Sequence, residues 1–208
     1  MTLEQMKTQL ASSGIHLSFI NYPLPESAIL QLAERNELIG VSPKRYNEFL
    51  AGRWCIHQSI KALFPNLQTE IIKTGSGGEP LLPPEIKGSI SHCSHIACAA
   101  VCSAIIFQSI GLDIESTQRK MSDNAFQWLI NEDEKTWIIK NGYHHDNVFR
   151  IVLFSIKEAV LKTVYTLIGE KIPFSAFSIT AFPLSPLETS KSNIHIIFHD
   201  DFFLNKYF

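Results

Sequence analysis

Two acidic residues, Asp113 and Glu115, occupy alternate positions in the segment SIGLDIES at residues 109–116. The neighbouring positions hold aliphatic side chains, namely Ile110, Leu112 and Ile114. This alternation predicts a β-strand with one apolar face and one acidic face. Two buried like charges would force one carboxylate to take up a proton unless a cation neutralises them. The pattern therefore indicates either a site for a hard cation such as Mg²⁺ or a strand face exposed to solvent.

A third acid and a lysine lie in the segment FSIKEAVLK at residues 154–162. Glu158 and Lys162 are four residues apart, so they share one face of a helix. An ordinary surface ion pair of this spacing contributes about 0.2–0.5 kcal/mol. The alternative is a third carboxylate facing the metal, with the lysine directed at the same anionic ligand.

Basic side chains that could hold an anion lie in the segment VSPKRYNEFLAGRWCIHQSIKALFP. It has a helix signature, because Ser42 can cap the first turn and Pro43 suits the first helical position. Arg45 and Arg53 would then lie two turns apart, a distance of about 12 Å. The chain offers these two guanidinium groups as local anion ligands.

Ser91 and His92, in the segment GSISH, follow a loop rich in Gly and Pro, where a hydroxyl and an imidazole could contact phosphate. A zinc site is the alternative for this region, with His92, Cys93, His95, Cys98 and Cys102 as ligands. No C-x-x-C pair occurs, and the spacing does not keep these residues on one face of a strand. Buried reduced thiols are the favoured interpretation of the four cysteines.

The composition is that of an ordinary globular protein, with 208 residues, 45% hydrophobic and 18% charged. A formal net charge of −2 gives no overall attraction to nucleic acid or to an anionic membrane surface. The N-terminal segment lacks the apolar core of a signal peptide, and no apolar run approaches the roughly 18 residues of a membrane span. We therefore predict a cytoplasmic protein with neither nucleic acid nor membrane as a partner.

The elements that would position these residues follow from periodicity. Residues 89–107 predict a buried strand that could pair as a hairpin with the strand at 109–116. Helical patterns cover residues 121–142 and 146–169. Two strand-like runs follow in the tail, at residues 176–182 and 193–198.

Taken in order, the motifs RYNEFLAGR, GGEPLLP, GSISHC, IGLDIE and FSIKEAVLK resemble those of the 4′-phosphopantetheinyl transferases. The similarity is to the longer type that acts on siderophore and other peptide synthetases, the enterobactin-synthase and surfactin type. It covers residues 45–162, over half of the chain. IGLDIE and FSIKEAVLK are the most specific motifs when they occur together.

The resemblance implies transfer of the phosphopantetheine arm of coenzyme A to a serine of an apo carrier protein, with release of adenosine 3′,5′-bisphosphate. Asp113, Glu115 and Glu158 would hold Mg²⁺ on the coenzyme A pyrophosphate. Lys162 would bind that pyrophosphate, and Gly111 would leave room beside it. Glu158 and Lys162 are thereby expected to be catalytic.

The same resemblance assigns the rest of the site. Ser91 and His92 would contact the coenzyme A nucleotide and its phosphates. Arg53, together with Arg45, would bind the 3′-phosphate. Glu134 would act as the base on the carrier serine. Two adjacent acids compete with it for that role, Glu132 and Asp133.

The implied fold is α/β of the α+β kind, with two similar lobes related by a pseudo-twofold axis and the active site between them. The expected lobes are residues 1–105, on the coenzyme A nucleotide side, and residues 106–208, which carry the metal-binding acids. The expected protein is a monomer. Its partner is an acyl or peptidyl carrier protein, of peptide, polyketide or fatty-acid type.

One departure from the family pattern lies in the loop at residues 74–80, where relatives often carry a basic residue. Here the loop has none and includes the acidic Glu79. Lys44 or Lys87 could supply the lost phosphate contact. The departure also supports an alternative function, a non-catalytic module of the same fold that binds coenzyme A or the carrier.

Overall fold

The computed structural model describes residues 2–32, 40–68, 71–179 and 194–199. Helices in these residues are α1 (Leu3–Ala11), α2 (Glu26–Ile29), α3 (Pro43–Leu63), α4 (Asp123–Leu129), α5 (Glu132–Lys140) and α6 (Asn147–Ile168). Strands are β1 (Ile15–Asn21), β2 (Ile86–Cys93), β3 (Ile96–Ser103), β4 (Phe177–Ile179) and β5 (Ile196–Phe198). All paired strands among them are antiparallel, which confirms the α+β class.

The chain divides into two compact units. One comprises Met1–Glu115 with Glu158–Lys171, and the other comprises Ser116–Lys157 with Ile172–Phe208. Helix α6 contributes residues to both. No helix in the described ranges is both long and apolar enough to cross a membrane.

The first unit is built on a sheet with the strand order β1-β3-β2, and α3 packs on one of its faces. Helix α3 begins as the sequence predicts, because the Ser42 side chain accepts a hydrogen bond from the Arg45 backbone N–H. Its apolar stripe meets the small side chains of β3. The core between them includes Leu50, Ile56, Ile60, Ala97, Ala99 and Val101. Small residues on β3 let this helix approach the sheet closely.

The predicted single strand at residues 89–107 is wrong, since this segment contributes to two strands. β2 and β3 pair with each other, Cys93 opposite Ile96, and the chain turns at Ser94 and His95. Ser94 has a φ of 55°, in the left-handed region that Gly and Asn usually occupy. The turn was missed because its sequence lacks those residues. Ser91 and His92 therefore lie on β2 and not in a loop.

The segment at residues 109–116 is also not a strand, although its alternation is real. Ile110, Leu112 and Ile114 pack on the face of the sheet opposite α3, against Leu17, Cys98 and Ala100. Two serine side chains of β2 bind this segment in place of backbone hydrogen bonds between strands. Ser89 Oγ accepts from the Leu112 N–H at 3.0 Å, and Ser91 Oγ accepts from the Ile114 N–H at 3.3 Å. The segment thus crosses this face through side-chain hydrogen bonds.

Gly111 lies directly against the backbone of α6, and not at a space left for a ligand as we expected from the resemblance. A Cβ at this position would stand 1.9 Å from the Ala159 carbonyl oxygen and 2.3 Å from Thr163 Oγ1. The Ser109 hydroxyl also donates to the Thr163 carbonyl at 2.9 Å. Because Gly111 has no side chain, the segment at residues 109–116 can pack directly against α6.

Gly111→Ala is expected to lower the free energy of unfolding by about 1–3 kcal/mol, because a helix carbonyl cannot move aside cheaply. Urea denaturation of the two proteins measures the difference. Gly75→Ala is the matched control, since the three atoms nearest to its Cβ would all belong to the flexible Glu79 side chain. Equal stability of the two variants would contradict a tight contact between residue 111 and α6.

The second unit contains α4 and α5 where the sequence predicts one helix over residues 121–142. The chain is extended at Ile130, and Asn131 begins α5 with a capping box completed by Glu134. Asp146 caps α6 by accepting from the Val148 and Phe149 N–H groups. The tail runs form the pair β4 and β5 in the described residues, which confirms strands there.

Candidate functional site

Asp113, Ser91 and Lys162 form a connected polar cluster in the first unit. The Ser91 hydroxyl donates to Asp113 Oδ1 at 2.8 Å, and Lys162 Nζ donates to the same oxygen at 2.8 Å. Lys162 also donates to the Leu112 carbonyl at 2.9 Å and contacts Ser91 Oγ at 3.3 Å. Three segments of the chain, β2, residues 109–116 and α6, therefore meet at one carboxylate.

The second oxygen of Asp113 is the unusual atom of this cluster. Oδ2 is buried and has no hydrogen-bond partner among the described residues, while the side chain as a whole is 7% exposed. An unsatisfied buried carboxylate oxygen costs free energy, so such an atom in a native fold calls for an explanation. A cation ligand would satisfy it.

The other two predicted metal ligands are less closely joined to Asp113. Cys93 Sγ donates to Glu115 Oε2 at 3.7 Å, so Glu115 faces Cys93 as Asp113 faces Ser91. Glu158 lies half-buried on α6. In the part of the chain that the structure describes, no three His, Cys, Asp or Glu residues are grouped closely enough to hold a metal ion. The predicted carboxylate trio is therefore not assembled as such.

Mg²⁺ nevertheless suits the residues that are present. It commonly takes one or two protein carboxylates and completes its octahedral shell with water and phosphate oxygens. The buried Oδ2 of Asp113, which has no hydrogen-bond partner among the described residues, would be one such ligand. Glu115 is on the same side of its segment and could provide a second.

His92 faces the opposite side of β2 from Ser91, towards α3. Its Nε2 lies 3.4 Å from Arg45 Nη1, and its Nδ1 lies 3.9 Å from Glu48 Oε1. Glu48 also lies 3.8 Å from Lys44 and 3.9 Å from Arg45. Burial lowers the pKa of the His92 imidazole, and the Glu48 carboxylate opposes that shift. The cluster holds more basic groups than acids and suits an anion.

Arg53 is buried two turns beyond Arg45 on α3. Its guanidinium donates to Thr74 Oγ1 at 2.7 Å and stacks over the Phe49 ring at 4.4 Å. Thr74 pairs with Pro80 across the loop that lacks a basic residue. Within that loop the Glu79 carboxylate accepts from the Gly77 N–H at 2.9 Å. Arg53 thus supports the loop, and its role at the 3′-phosphate stays a prediction.

Glu134 occupies a different environment, inside the second unit. Its carboxylate accepts from Lys157 Nζ at 2.7 Å, from the Asn131 N–H at 3.0 Å and from the Ile179 N–H at 2.8 Å. Both side chains of the ion pair are buried, with Lys157 fully so. Burial lowers the pKa of Lys157, whereas the Glu134 carboxylate raises it. These contacts favour a structural role for Glu134, and its role as a base stays a prediction.

The zinc alternative is not supported by the described residues. His92 and Cys93 point to opposite faces of β2, towards Glu48 and Glu115 respectively. Burial raises the pKa of the Cys98 thiol to about 12, whereas a zinc ligand must be a thiolate. The cysteines are all free, and Cys93 alone among the four is not fully buried.

Sequence reasoning missed Glu48, which belongs to the site, and Ser89, which holds the segment at 109–116 without contacting the site residues. Glu48 lies three residues after Arg45 and four after Lys44, a spacing that places it beside both on a helix. This spacing can be read from the sequence, so Glu48 could have been predicted. Ser89 shares a strand face with Ser91 but accepts from the Leu112 N–H, a contact that depends on the segment at 109–116 crossing the sheet. No sequence pattern indicates that crossing.

Family comparisons match two successive parts of the chain. A model described as the 4′-phosphopantetheinyl transferase N-terminal domain matches residues 34–102, and one described as the 4′-phosphopantetheinyl transferase superfamily matches residues 109–207. Together they cover most of the chain, including every predicted site residue.

Individual phosphopantetheinyl transferases and an enterobactin synthase component are similar in sequence to much of this chain. 4′-Phosphopantetheinyl transferase Svp of Streptomyces mobaraensis is 27% identical over 80% of this chain and 67% of its own length. 4′-Phosphopantetheinyl transferase Npt of Nocardia iowensis is 27% identical over 75% of this chain and 68% of its own length. Enterobactin synthase component D of Escherichia coli K12 is 33% identical over 56% of this chain and 57% of its own length.

Proposed function

The chain belongs to the 4′-phosphopantetheinyl transferase superfamily, and we propose that it transfers the 4′-phosphopantetheine arm of coenzyme A to a serine of an apo carrier protein. The proposed reaction depends on Mg²⁺ and releases adenosine 3′,5′-bisphosphate. The observation that carries it is the Asp113 carboxylate, which offers a bare buried oxygen beside the Lys162 ammonium. A cation held by Asp113, together with the adjacent Lys162 ammonium, would offset the negative charge of a pyrophosphate.

The chemistry requires one bond to form and one to break. The serine oxygen attacks the phosphorus that carries pantetheine, and the bond from that phosphorus to the bridging oxygen of the pyrophosphate breaks. The serine proton passes to a base, and the leaving group is adenosine 3′,5′-bisphosphate. Negative charge grows on the pyrophosphate oxygens, so fixed positive charge nearby lowers the barrier.

The residues of the first unit have distinct parts in this proposal. Asp113, with Glu115 as a second ligand, would hold Mg²⁺, which supplies positive charge to the pyrophosphate when it is bound. A place for Glu158 as a third ligand stays a prediction. Lys162 is held against the Leu112 carbonyl and Asp113, so its ammonium is oriented before the substrate arrives. His92 and Arg45 would hold a phosphate of coenzyme A on the α3 side of β2.

Several finer features belong to the same proposal. The carrier would be of the kind used in siderophore or other secondary-metabolite synthesis, as the names of the enterobactin relatives suggest. We also propose lobes of residues 1–105 and 106–208 related by pseudo-twofold symmetry, with the active site between them, and a monomer that acts in the cytoplasm. The free cysteines are consistent with a reducing compartment.

The test incubates the protein with coenzyme A, Mg²⁺ and a panel of apo carriers of peptide, polyketide and fatty-acid type, followed by intact mass spectrometry. We expect at least one carrier to gain the phosphopantetheine mass, and the gain to disappear with excess EDTA. No gain on any carrier would contradict the proposal. Tight coenzyme A binding without turnover would instead favour a non-catalytic binding module.

A further inference from the structure

We propose that Glu48 is a positioning residue that makes His92 take up a proton when the 3′-phosphate of coenzyme A binds. The proton comes from solvent and converts the neutral imidazole into an imidazolium that donates to the phosphate. This inference rests on the proposed function, in which His92 and Arg45 hold a phosphate of coenzyme A. It gives a role to the buried acid that lies among these basic groups.

Glu48 lies behind the two side chains that would meet the ligand. Its side chain is 11% exposed, against 53% for Arg45 and 34% for His92. Its carboxylate oxygens lie 3.9 Å from Arg45 Nη1, 3.9 Å from His92 Nδ1 and 3.8 Å from Lys44 Nζ. These are ion-pair distances, each too long for a hydrogen bond. A phosphate that approaches from solvent therefore meets Arg45 and His92, with Glu48 on their inner side.

The neighbours of His92 indicate which ring nitrogen carries the proton in the free protein. Arg45 Nη1 lies 3.4 Å from Nε2, and a guanidinium can only donate, so Nε2 accepts and the proton is assigned to Nδ1. Nδ1 faces the Glu48 carboxylate, which can only accept. A neutral imidazole therefore suits both neighbours in this one tautomer.

A bound phosphate changes the requirement at Nε2, because the oxygens of a phosphate dianion can only accept. For His92 to donate from Nε2, the ring must either move its proton there from Nδ1 or gain a second proton. Moving the proton would leave the Nδ1 lone pair facing the Glu48 carboxylate, two acceptors with no proton between them. The ring therefore gains a proton and carries its positive charge between two anions. Arg45 is then free to donate to the same phosphate.

The charged groups that face His92 from α3 and α6 agree with a ring that is neutral before coenzyme A binds. Burial lowers the pKa of the imidazole, the Glu48 carboxylate raises it, and Arg45, Lys162 and Lys44 lower it. The resulting pKa lies below the ordinary value of about 6.5. A phosphate beside the ring adds negative charge and raises that pKa. Affinity for coenzyme A should therefore fall as pH rises, because the proton that must be taken up becomes scarcer.

Calorimetry in metal-free buffers of different ionisation enthalpy measures the protons taken up at pH 7.5, where a phosphate monoester is already a dianion. We expect the unaltered protein to take up about 0.5–1 proton with coenzyme A, and its Kd to rise by up to about tenfold from pH 7 to pH 8. Dephospho-coenzyme A, which lacks the 3′-phosphate, should bind without this uptake.

Glu48→Gln should reduce the uptake with coenzyme A to below about 0.3 proton. The glutamine amide can donate to Nδ1 of His92, so a neutral ring can donate from Nε2. Glu85→Gln is the matched control, because it makes the same change at an exposed residue of the same unit. It should take up as many protons as the unaltered protein. Thermal unfolding measures any loss of stability, which would not by itself alter the number of protons taken up with the ligand.

The comparison of the two ligands needs no variant, so it tests the inference even if Glu48→Gln does not fold. The inference is overturned if the unaltered protein takes up as many protons with dephospho-coenzyme A as with coenzyme A. It is also overturned if folded Glu48→Gln retains the uptake. If the unaltered protein does not bind coenzyme A at all, the proposed function fails first and the inference with it.

Discussion

Replacing Asp113 by asparagine is expected to lower kcat/KM for carrier modification by about a thousandfold or more, with the fold intact. A bound metal typically contributes several kcal/mol of transition-state stabilisation, and about 4 kcal/mol corresponds to this factor. The asparagine carbonyl can still accept from Ser91 and Lys162, as Asp113 Oδ1 does. The amide nitrogen that replaces Oδ2 cannot bind a cation. The substitution therefore removes the proposed metal ligand and keeps the hydrogen bonds around it.

The measurement combines carrier-modification kinetics with Mn²⁺ titration and thermal unfolding. Glu85→Gln is the matched control, since it makes the same carboxylate-to-amide change at an exposed residue of the same unit. Glu85→Gln should lose neither carrier modification nor Mn²⁺ binding. Turnover by Asp113→Asn within about tenfold of the unaltered protein would contradict the assignment, because a lost metal ligand costs more than this.

The arrangement around Asp113 was only half predictable from the sequence. Alternation correctly placed both acids of the segment on the side away from the aliphatic residues. It could not show that the segment lacks a strand partner, because an extended chain bonded by serine side chains has the same period as a strand. The Ser91 hydroxyl also accepts a hydrogen bond from Lys162, which is 71 residues away in the sequence. Such a contact has no local signal.

Helices were predicted well where a cap accompanies the apolar stripe. Ser42 caps α3 by the expected side-chain bond, and Asp146 caps α6 at the start of the predicted helical pattern. The break between α4 and α5 was missed although Asn131 and Glu134 form a recognisable capping box. The β2–β3 turn was missed for a different reason, since Ser94 adopts a conformation that its residue type disfavours. Tertiary packing there outweighs local preference.

Glu134 illustrates how burial separates two roles that one residue type can have. From the sequence it is one of three consecutive acids, and any of them could act as a base. In the structure Glu132 is exposed and paired with Lys135, whereas Glu134 is buried with three donors around its carboxylate. A base must be able to take up a proton during the reaction. Both Glu134 oxygens accept hydrogen bonds within the second unit and the residue is 4% exposed, so the carboxylate is not open to a carrier serine.

Glu134→Gln is accordingly expected to lower the free energy of unfolding by about 3–5 kcal/mol, the usual result of removing one partner of a buried ion pair. The fully buried Lys157 ammonium would lose its counter-charge. The glutamine amide group would also confront the N–H groups of Asn131 or Ile179, which now donate to the carboxylate. Urea denaturation measures the loss, with Glu132→Gln as the exposed control, for which a change under about 0.5 kcal/mol is expected.

The double variant Glu134→Gln with Lys157→Met separates lost charge pairing from lost packing. Replacing both ions removes the unpaired buried charge, so we expect it to recover a large part of the stability that Glu134→Gln loses. A base would give the opposite pattern, in which Glu134→Gln remains as stable as the unaltered protein and loses carrier modification. That pattern would restore Glu134 as the candidate base. Stability lost in the single variant and regained in the double variant would assign it to the core of the second unit.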